Sequence, residues 1–157
     1  MTRPMATANQ LLVHATTVSL GAAAAVLRGP PGAGKSDLAL RFLAGYNGWP
    51  KPLWERRLVA DDQTLLTHDA GRLIASAPET IAGKLEVRGV GIVHVEPVVP
   101  AQVWLVVDLV ARDAVERSPD ESSSVLLLGC EIRRRALHAF EASAAEKLTL
   151  LLAGFLH

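Results

Sequence analysis

The sequence predicts an α/β fold in which a phosphate-binding loop is carried on a strand-rich, mixed β-sheet. Three observations predict it. The stretch Gly29-Pro30-Pro31-Gly32-Ala33-Gly34-Lys35-Ser36 matches the pattern G-x-x-x-x-G-K-[ST]. The apolar run Ala22–Leu27 before it reads as a buried strand, and Ser36–Leu43 after it reads as the opening of an amphipathic helix, which is the setting the motif requires. The remaining chain offers many short apolar runs but only one further good helix, short of the regular alternation of a doubly wound sheet.

Taken in order, Leu11–Leu20 is β-branched and apolar and reads as one strand, and Gly21 turns it into the strand Ala22–Leu27 as a hairpin. After the loop helix, Gly45–Arg57 carries Gly45, Asn47, Gly48, Pro50 and Pro52, which forbid a long helix. Trp49 and Trp54 in that segment are expected to anchor it on the core rather than to form a lid for a partner. Arg57–Asp62 is a short strand ending in two carboxylates. Leu65–His68 and Arg72–Ala77 are strands around the turn Asp69-Ala70-Gly71. From Leu85 to Val95 charge sits among glycines and β-formers. Gln102–Val110 and Ser124–Leu128 read as buried strands around the polar segment Arg112–Ser123. Ser143-Ala-Ala-Glu146 is a capping box that opens a helix with Leu148, Leu151, Leu152 and Phe155 on one face.

At 157 residues the chain is expected to form one domain, 1–157, that buries about two-thirds of its unfolded surface. Aromatic residues make up only 4%, so Ala, Val and Leu must fill the core. Lys plus Arg equals Asp plus Glu, which speaks against a nucleic-acid partner and gives no support for a membrane anchor. No apolar run approaches the roughly 20 residues of a spanning helix. Met1–Gln10 has no signal-peptide core. Cys130 stands alone and reads as a buried structural thiol. These signs together predict a cytoplasmic protein.

The chemistry starts from the loop. Its glycines let successive backbone N–H groups turn towards phosphate oxygens, and the helix N-terminus adds its partial positive charge. Lys35 can reach the β- and γ-phosphates while the Ser36 hydroxyl ligates Mg²⁺, so the stretch implies a bound nucleoside triphosphate such as ATP. Asp61 and Asp62 end the next strand, where one carboxylate can orient the metal and the other can accept a proton from an attacking hydroxyl. Glu86 and Arg88 would project to one face of a strand, the first completing a metal shell and the second neutralising phosphoryl charge. His14, in an apolar strand, reads by itself as a satisfied core histidine, and Arg117 as an ordinary loop cation. His68, His94, His138 and His157 show no zinc spacing with cysteine.

Four stretches together resemble one known family. They are His14-Ala15-Thr16, the loop Gly29–Ser36, Leu58-Val59-Ala60-Asp61-Asp62, and Leu85-Glu86-Val87-Arg88-Gly89-Val90-Gly91-Ile92. The family is the HPr kinase/phosphorylases, in their C-terminal catalytic domain, and the chain is most similar to the short alphaproteobacterial forms that lack the N-terminal domain. The resemblance implies a fold shared with phosphoenolpyruvate carboxykinase, and often a hexamer. It also implies ATP- and Mg²⁺-dependent phosphorylation of a serine on HPr, the phosphocarrier of the sugar phosphotransferase system. It implies that Lys35 and Ser36 serve phosphate and Mg²⁺, that Glu86 is a metal ligand, that His14 and Arg117 are catalytic, and that Asp62 leans towards the proton acceptor without being separable from Asp61. The chain departs from the family at Gly45–Arg57, which is longer. It departs again where the family's Pro/Gly-rich dephosphorylation segment gives way to Arg133-Arg134-Arg135, so kinase rather than phosphorylase activity is what the resemblance supports. A small-molecule kinase would need an Arg-rich lid helix, and a pure ATP-sensing module could lose its base; neither fits the residues as well.

Overall fold

A computed structural model of the chain describes residues 9–51, 54–96 and 99–156, and the expectations for residues 1–8, Pro52 and His157 lie outside them. The central hairpin pairs β2 (Ala15–Leu20) with β3 (Ala23–Arg28) across a two-residue turn at Gly21 and Ala22, as the sequence predicts. The phosphate loop leaves β3 and enters α1 (Lys35–Leu43). Next come β4 (Arg56–Ala60), which lies on the outer edge of β2, and the hairpin of β5 (Thr64–Asp69) and β6 (Arg72–Ser76). β1 (Gln10–Val13) pairs with β5, and β9 (Ala101–Leu109) joins β6 to β3. The carboxyl half of β9 also pairs with β11 (Cys130–Leu137), which in turn pairs with β10 (Ser124–Leu127). These nine strands form one sheet, while β7 (Lys84–Val87) and β8 (Gly91–His94) form a separate ribbon.

Direction matters more than order here. β3 and β11 run parallel to β9, and β4 runs antiparallel to β2, which is itself antiparallel to β3. Strands β3, β4, β9 and β11 therefore all finish at one end of the sheet, and β2 begins there. That end gathers His14, the phosphate loop, Asp61 and Asp62, Val110 and His138. Ligands of open α/β sheets bind outside the carboxyl ends of the strands for this reason.

Alternation along the strands builds a core on each face. Ala23, Ala25 and Leu27 of β3 face α1 and α2 (Ala144–Ala153), packing with Leu38, Phe42, Leu148 and Leu152. Ala24 and Val26 face the other way, onto Leu66, Leu73 and Val103. A strand buried on both faces must be apolar at every position, which is why Ala22–Leu27 has no polar residue.

The structure corrects the sequence reading in several places. Leu11–Leu20 is two strands broken at His14, because β1 and β2 pair with different partners. The charged run at Arg133–Arg135 is part of β11, a strand that the sequence reading missed. Its charges are matched across the fold, Arg134 with Asp108 and the buried Arg135 with Glu121 at 2.8 Å. Arg88 is not on the strand with Glu86, since β7 stops at Val87 and Arg88 lies in the turn to β8. Trp104, expected to be buried, falls at a register shift between Ala24–Val103 and Ala25–Leu105. It is left half-exposed there, stacked 5.9 Å from the Phe155 ring. Ser143 does precede α2, and Leu148, Leu151, Leu152 and Phe155 pack on the core, but the Ser143 side chain makes no capping hydrogen bond. Of the two loop tryptophans, Trp54 packs on the core while Trp49 is half-exposed. The Arg56 guanidinium does the rest of the anchoring, donating to the carbonyls of Tyr46 and Trp49 and to the Thr149 hydroxyl while lying over the Phe42 ring.

Candidate active site

The phosphate loop turns directly into α1. Ala33 N–H donates to Pro30 O at 3.0 Å, and Pro30, Pro31 and Gly32 stand out as an exposed crown. Gly34, the residue before the first helical turn, is left-handed with φ 96° and ψ 22°. The Lys35 ammonium donates to Gly29 O at 2.6 Å and to Pro30 O at 3.3 Å, within the loop that it would serve. On the opposite side of the loop, Arg41 of α1 donates to the carbonyls of Ala139 and Glu141, clamping the helix to the segment between β11 and α2. An Asp37–Arg41 pair at 3.0 Å along α1 holds that guanidinium in place.

The two aspartates diverge. Asp61 is 6% exposed. Its Oδ1 accepts from the Ser36 hydroxyl at 2.6 Å and from the Thr16 hydroxyl at 3.1 Å, and its Oδ2 accepts from the backbone N–H of Glu86 at 3.1 Å. Asp62 sits at φ 66°, so the chain reverses and swings its side chain, 66% exposed, away from Asp61. Its N–H is pinned to the Thr16 hydroxyl at 3.1 Å, and its Oδ1 lies 3.9 Å from His14 Nδ1. An aspartate tolerates this left-handed geometry better than most residues. An irregularity in the β2–β4 register just upstream, between Thr17 and Val18, helps to aim the pair. His14 is exposed at the bend between β1 and β2, so its reading as a core histidine is overturned.

Ser36, Asp61, Asp62, His14 and the loop thus come together, and Thr16 joins them as a residue that sequence reasoning gave no role. Its signal was a hydroxyl two residues after His14 on a strand otherwise explained by its apolar side. Glu86 joins through its backbone, its side chain being exposed. Arg88 and Arg117 are exposed and, among the described residues, make no hydrogen bond or ion pair. No group of three or more His, Cys, Asp or Glu among the described residues is arranged to hold a metal ion by itself.

A second network was also missed. Arg28, the residue before the loop, donates through Nε and one terminal nitrogen to Asp108 at 2.8 and 3.0 Å, and Arg134 donates to the same carboxylate. It ties together the ends of β3, β9 and β11, the strands that carry the loop and its neighbours. Burial disfavours the charge on Asp108, but the hydrogen bonds from Arg28 and Arg134 outweigh it and hold the carboxyl below its ordinary value of 3.8. A carboxyl held low in the fold stabilises it above the ordinary value and loses that effect as pH falls through the folded value. Asp108→Asn is expected to lower stability by about 2 kcal/mol at neutral pH. In urea melts the gap from the parent should narrow only below pH 3.8; a gap constant with pH would refute the assignment.

The HPr serine kinase C-terminal domain family matches residues 5–138 of this chain. The HPr kinase/phosphorylase of Geobacillus sp. (strain WCH70) is 31% identical over 133 residues, covering 78% of this chain and 40% of that protein. That of Bordetella pertussis is 29% identical over 150 residues, covering 88% of this chain and 45% of that protein. The chain thus spans less than half the length of these curated relatives. The structure of the Hpr(Ser) kinase/phosphatase from Coxiella burnetii superposes with a TM-score of 0.74 at 20% identity, over 92% of this chain and 95% of that one, and shows the same fold. With the phosphate loop, the aspartate pair and the sheet that joins them in the positions described, the chain belongs to the HPr serine kinase C-terminal domain family.

Proposed function

We propose that the chain is the catalytic domain of an ATP-dependent serine kinase whose acceptor is an HPr-type phosphocarrier protein. The observation that carries this reading is the 2.6 Å hydrogen bond between Ser36 of the phosphate loop and the buried Asp61, with the exposed Asp62 beside it. A hydroxyl and a carboxylate joined in this way are the protein's share of a phosphate-loop Mg²⁺ site, and their hard oxygens suit that ion. Ser36, Asp61 and Glu86 would hold it. When bound, MgATP supplies the phosphoryl group and neutralises its developing charge.

The chain's own residues do the rest. The backbone N–H groups of Gly32–Ser36 cradle the phosphates, and Lys35 exchanges the carbonyls of Gly29 and Pro30 for phosphate oxygens. Asp62 would accept the proton of the acceptor serine as its oxygen bonds the γ-phosphorus and the bond to the β–γ bridging oxygen breaks, with ADP as the leaving group, while His14 beside it orients the carboxylate. Arg88 and Arg117, unpaired among the described residues, are the cations available to the moving phosphoryl group. No helix among the described residues is long and apolar enough to cross a membrane. A cytoplasmic location and a homo-oligomer, hexameric by the family resemblance, belong to the same reading.

The test is to incubate the protein with MgATP and HPr from the same organism and to read phosphoserine by intact mass. One added phosphate on HPr, lost with Lys35→Ala, is the expected result. HPr left unmodified while ATP is bound would refute the acceptor. Adding inorganic phosphate to the phosphorylated HPr and looking for pyrophosphate tests the reverse reaction in the same tube.

A further inference from the structure

We infer that Phe140 is the platform on which the base of the nucleotide stacks, an inference that rests on the nucleotide reading above. The polarity of the bound triphosphate follows from the sheet. Ser36 and Asp61, joined at 2.6 Å, are the residues that would hold a metal beside the terminal phosphates, so they mark the γ-phosphate end of the loop. Asp61 ends β4, which lies beyond β2 on one side of β3. The α-phosphate and the nucleoside must therefore leave the loop on the other side of β3, where β9 and β11 end.

The segment that follows β11 stands there. A Cβ placed on Gly34 would lie 3.0 Å from Phe140 Cζ and 2.7 Å from Ala139 Cβ, so this segment touches the loop. Phe140 is nevertheless 57% exposed. Its neighbours are fixed. Ala139 is buried, and the carbonyls of Ala139 and Glu141 accept from Arg41 of α1. His138 Nδ1 bonds Val110 O at 2.9 Å, and the His138 ring meets the Phe140 ring edge-on at 6.0 Å. A large apolar ring held rigidly in water beside a phosphate loop contributes nothing to the core. A π-face there suits a planar base, and a ring that is already ordered loses little entropy on binding it.

The test compares two ligands on the full chain by calorimetry, MgATP and magnesium tripolyphosphate, the second of which has no base. Phe140→Ala is expected to weaken MgATP about tenfold, within the range of aromatic–base stacking, and to leave tripolyphosphate unchanged. Phe140→Trp should keep the affinity of the parent for MgATP. Equal weakening of both ligands by Phe140→Ala would make Phe140 a prop for Gly34, and no change in either would leave the base without this platform; each overturns the inference alone. A parent protein that binds neither ligand would instead overturn the nucleotide reading.

Discussion

Asp62→Asn is expected to lower phosphoryl transfer by about 10²–10⁴-fold, the usual contribution of a positioned base, while MgATP remains bound. The substitution is clean because asparagine also accepts the left-handed backbone at this position, φ 66°, and the Thr16 hydroxyl still meets its N–H. The backbone is kept while the proton-accepting carboxylate, and its charge beside His14, is removed. Asp61→Asn should behave differently. The Ser36 and Thr16 hydroxyls and the Glu86 N–H all donate to Asp61, and an amide group cannot accept from all three without turning its NH₂ towards one of them. Its effect is expected on the metal, as a nucleotide affinity that no longer responds to Mg²⁺, together with a loss of about 1–3 kcal/mol in stability from the unpaired donors. Single-turnover phosphorylation and nucleotide titrations with and without Mg²⁺ separate the two. Full turnover in Asp62→Asn would remove it as the base, and an unchanged Mg²⁺ response in Asp61→Asn would remove the metal assignment.

That difference between neighbours shows where the sequence stops being legible. The phosphate loop could be read because its glycines, lysine and serine are required by local geometry, and a continuous apolar strand precedes it while an amphipathic helix follows it. The aspartates could be found by the same logic but not told apart. Their roles depend on one backbone dihedral at Asp62 and on Thr16, which is 45 residues from Asp61. β11 was hidden because its charges look like a solvated run until Asp108 and Glu121 are brought opposite them by the sheet. The break at His14 was hidden because either half of Leu11–Leu20 is a good strand, and only the choice of partner bends the chain. Glu86 and Arg88 read as neighbours on one strand face because their spacing of two fits strand alternation. The chain instead turns after Val87, with Gly89 at φ 86° in the turn and Gly91 at φ 112° opening β8 of a separate ribbon. Local chemistry was legible, and pairing across the fold was not.

Gly34→Ala is expected to abolish nucleotide binding and to destabilise the protein by about 3 kcal/mol, from two independent causes. Gly34 is held at φ 96°, a conformation that side-chain-bearing residues rarely adopt. In addition, the new methyl would sit 2.7 Å from Ala139 Cβ and 3.0 Å from Phe140 Cζ, closer than carbon atoms approach. The clash cannot be relieved by moving Ala139, which is buried and whose carbonyl is held by Arg41. The loop would have to move instead, taking with it the N–H groups of Lys35 and Ser36 that the phosphates need. Adding Ala139→Gly to Gly34→Ala bears on the causes, because it removes the 2.7 Å contact and leaves the dihedral strain with only the 3.0 Å approach to the edge of the exposed Phe140 ring, which can yield. The double variant should regain part of the lost stability but not nucleotide affinity, measured as the melting temperature with and without MgATP. Full recovery of MgATP-dependent stabilisation in the double variant would mean that the contact alone matters, and that the left-handed turn into α1 is not what shapes the phosphate cradle.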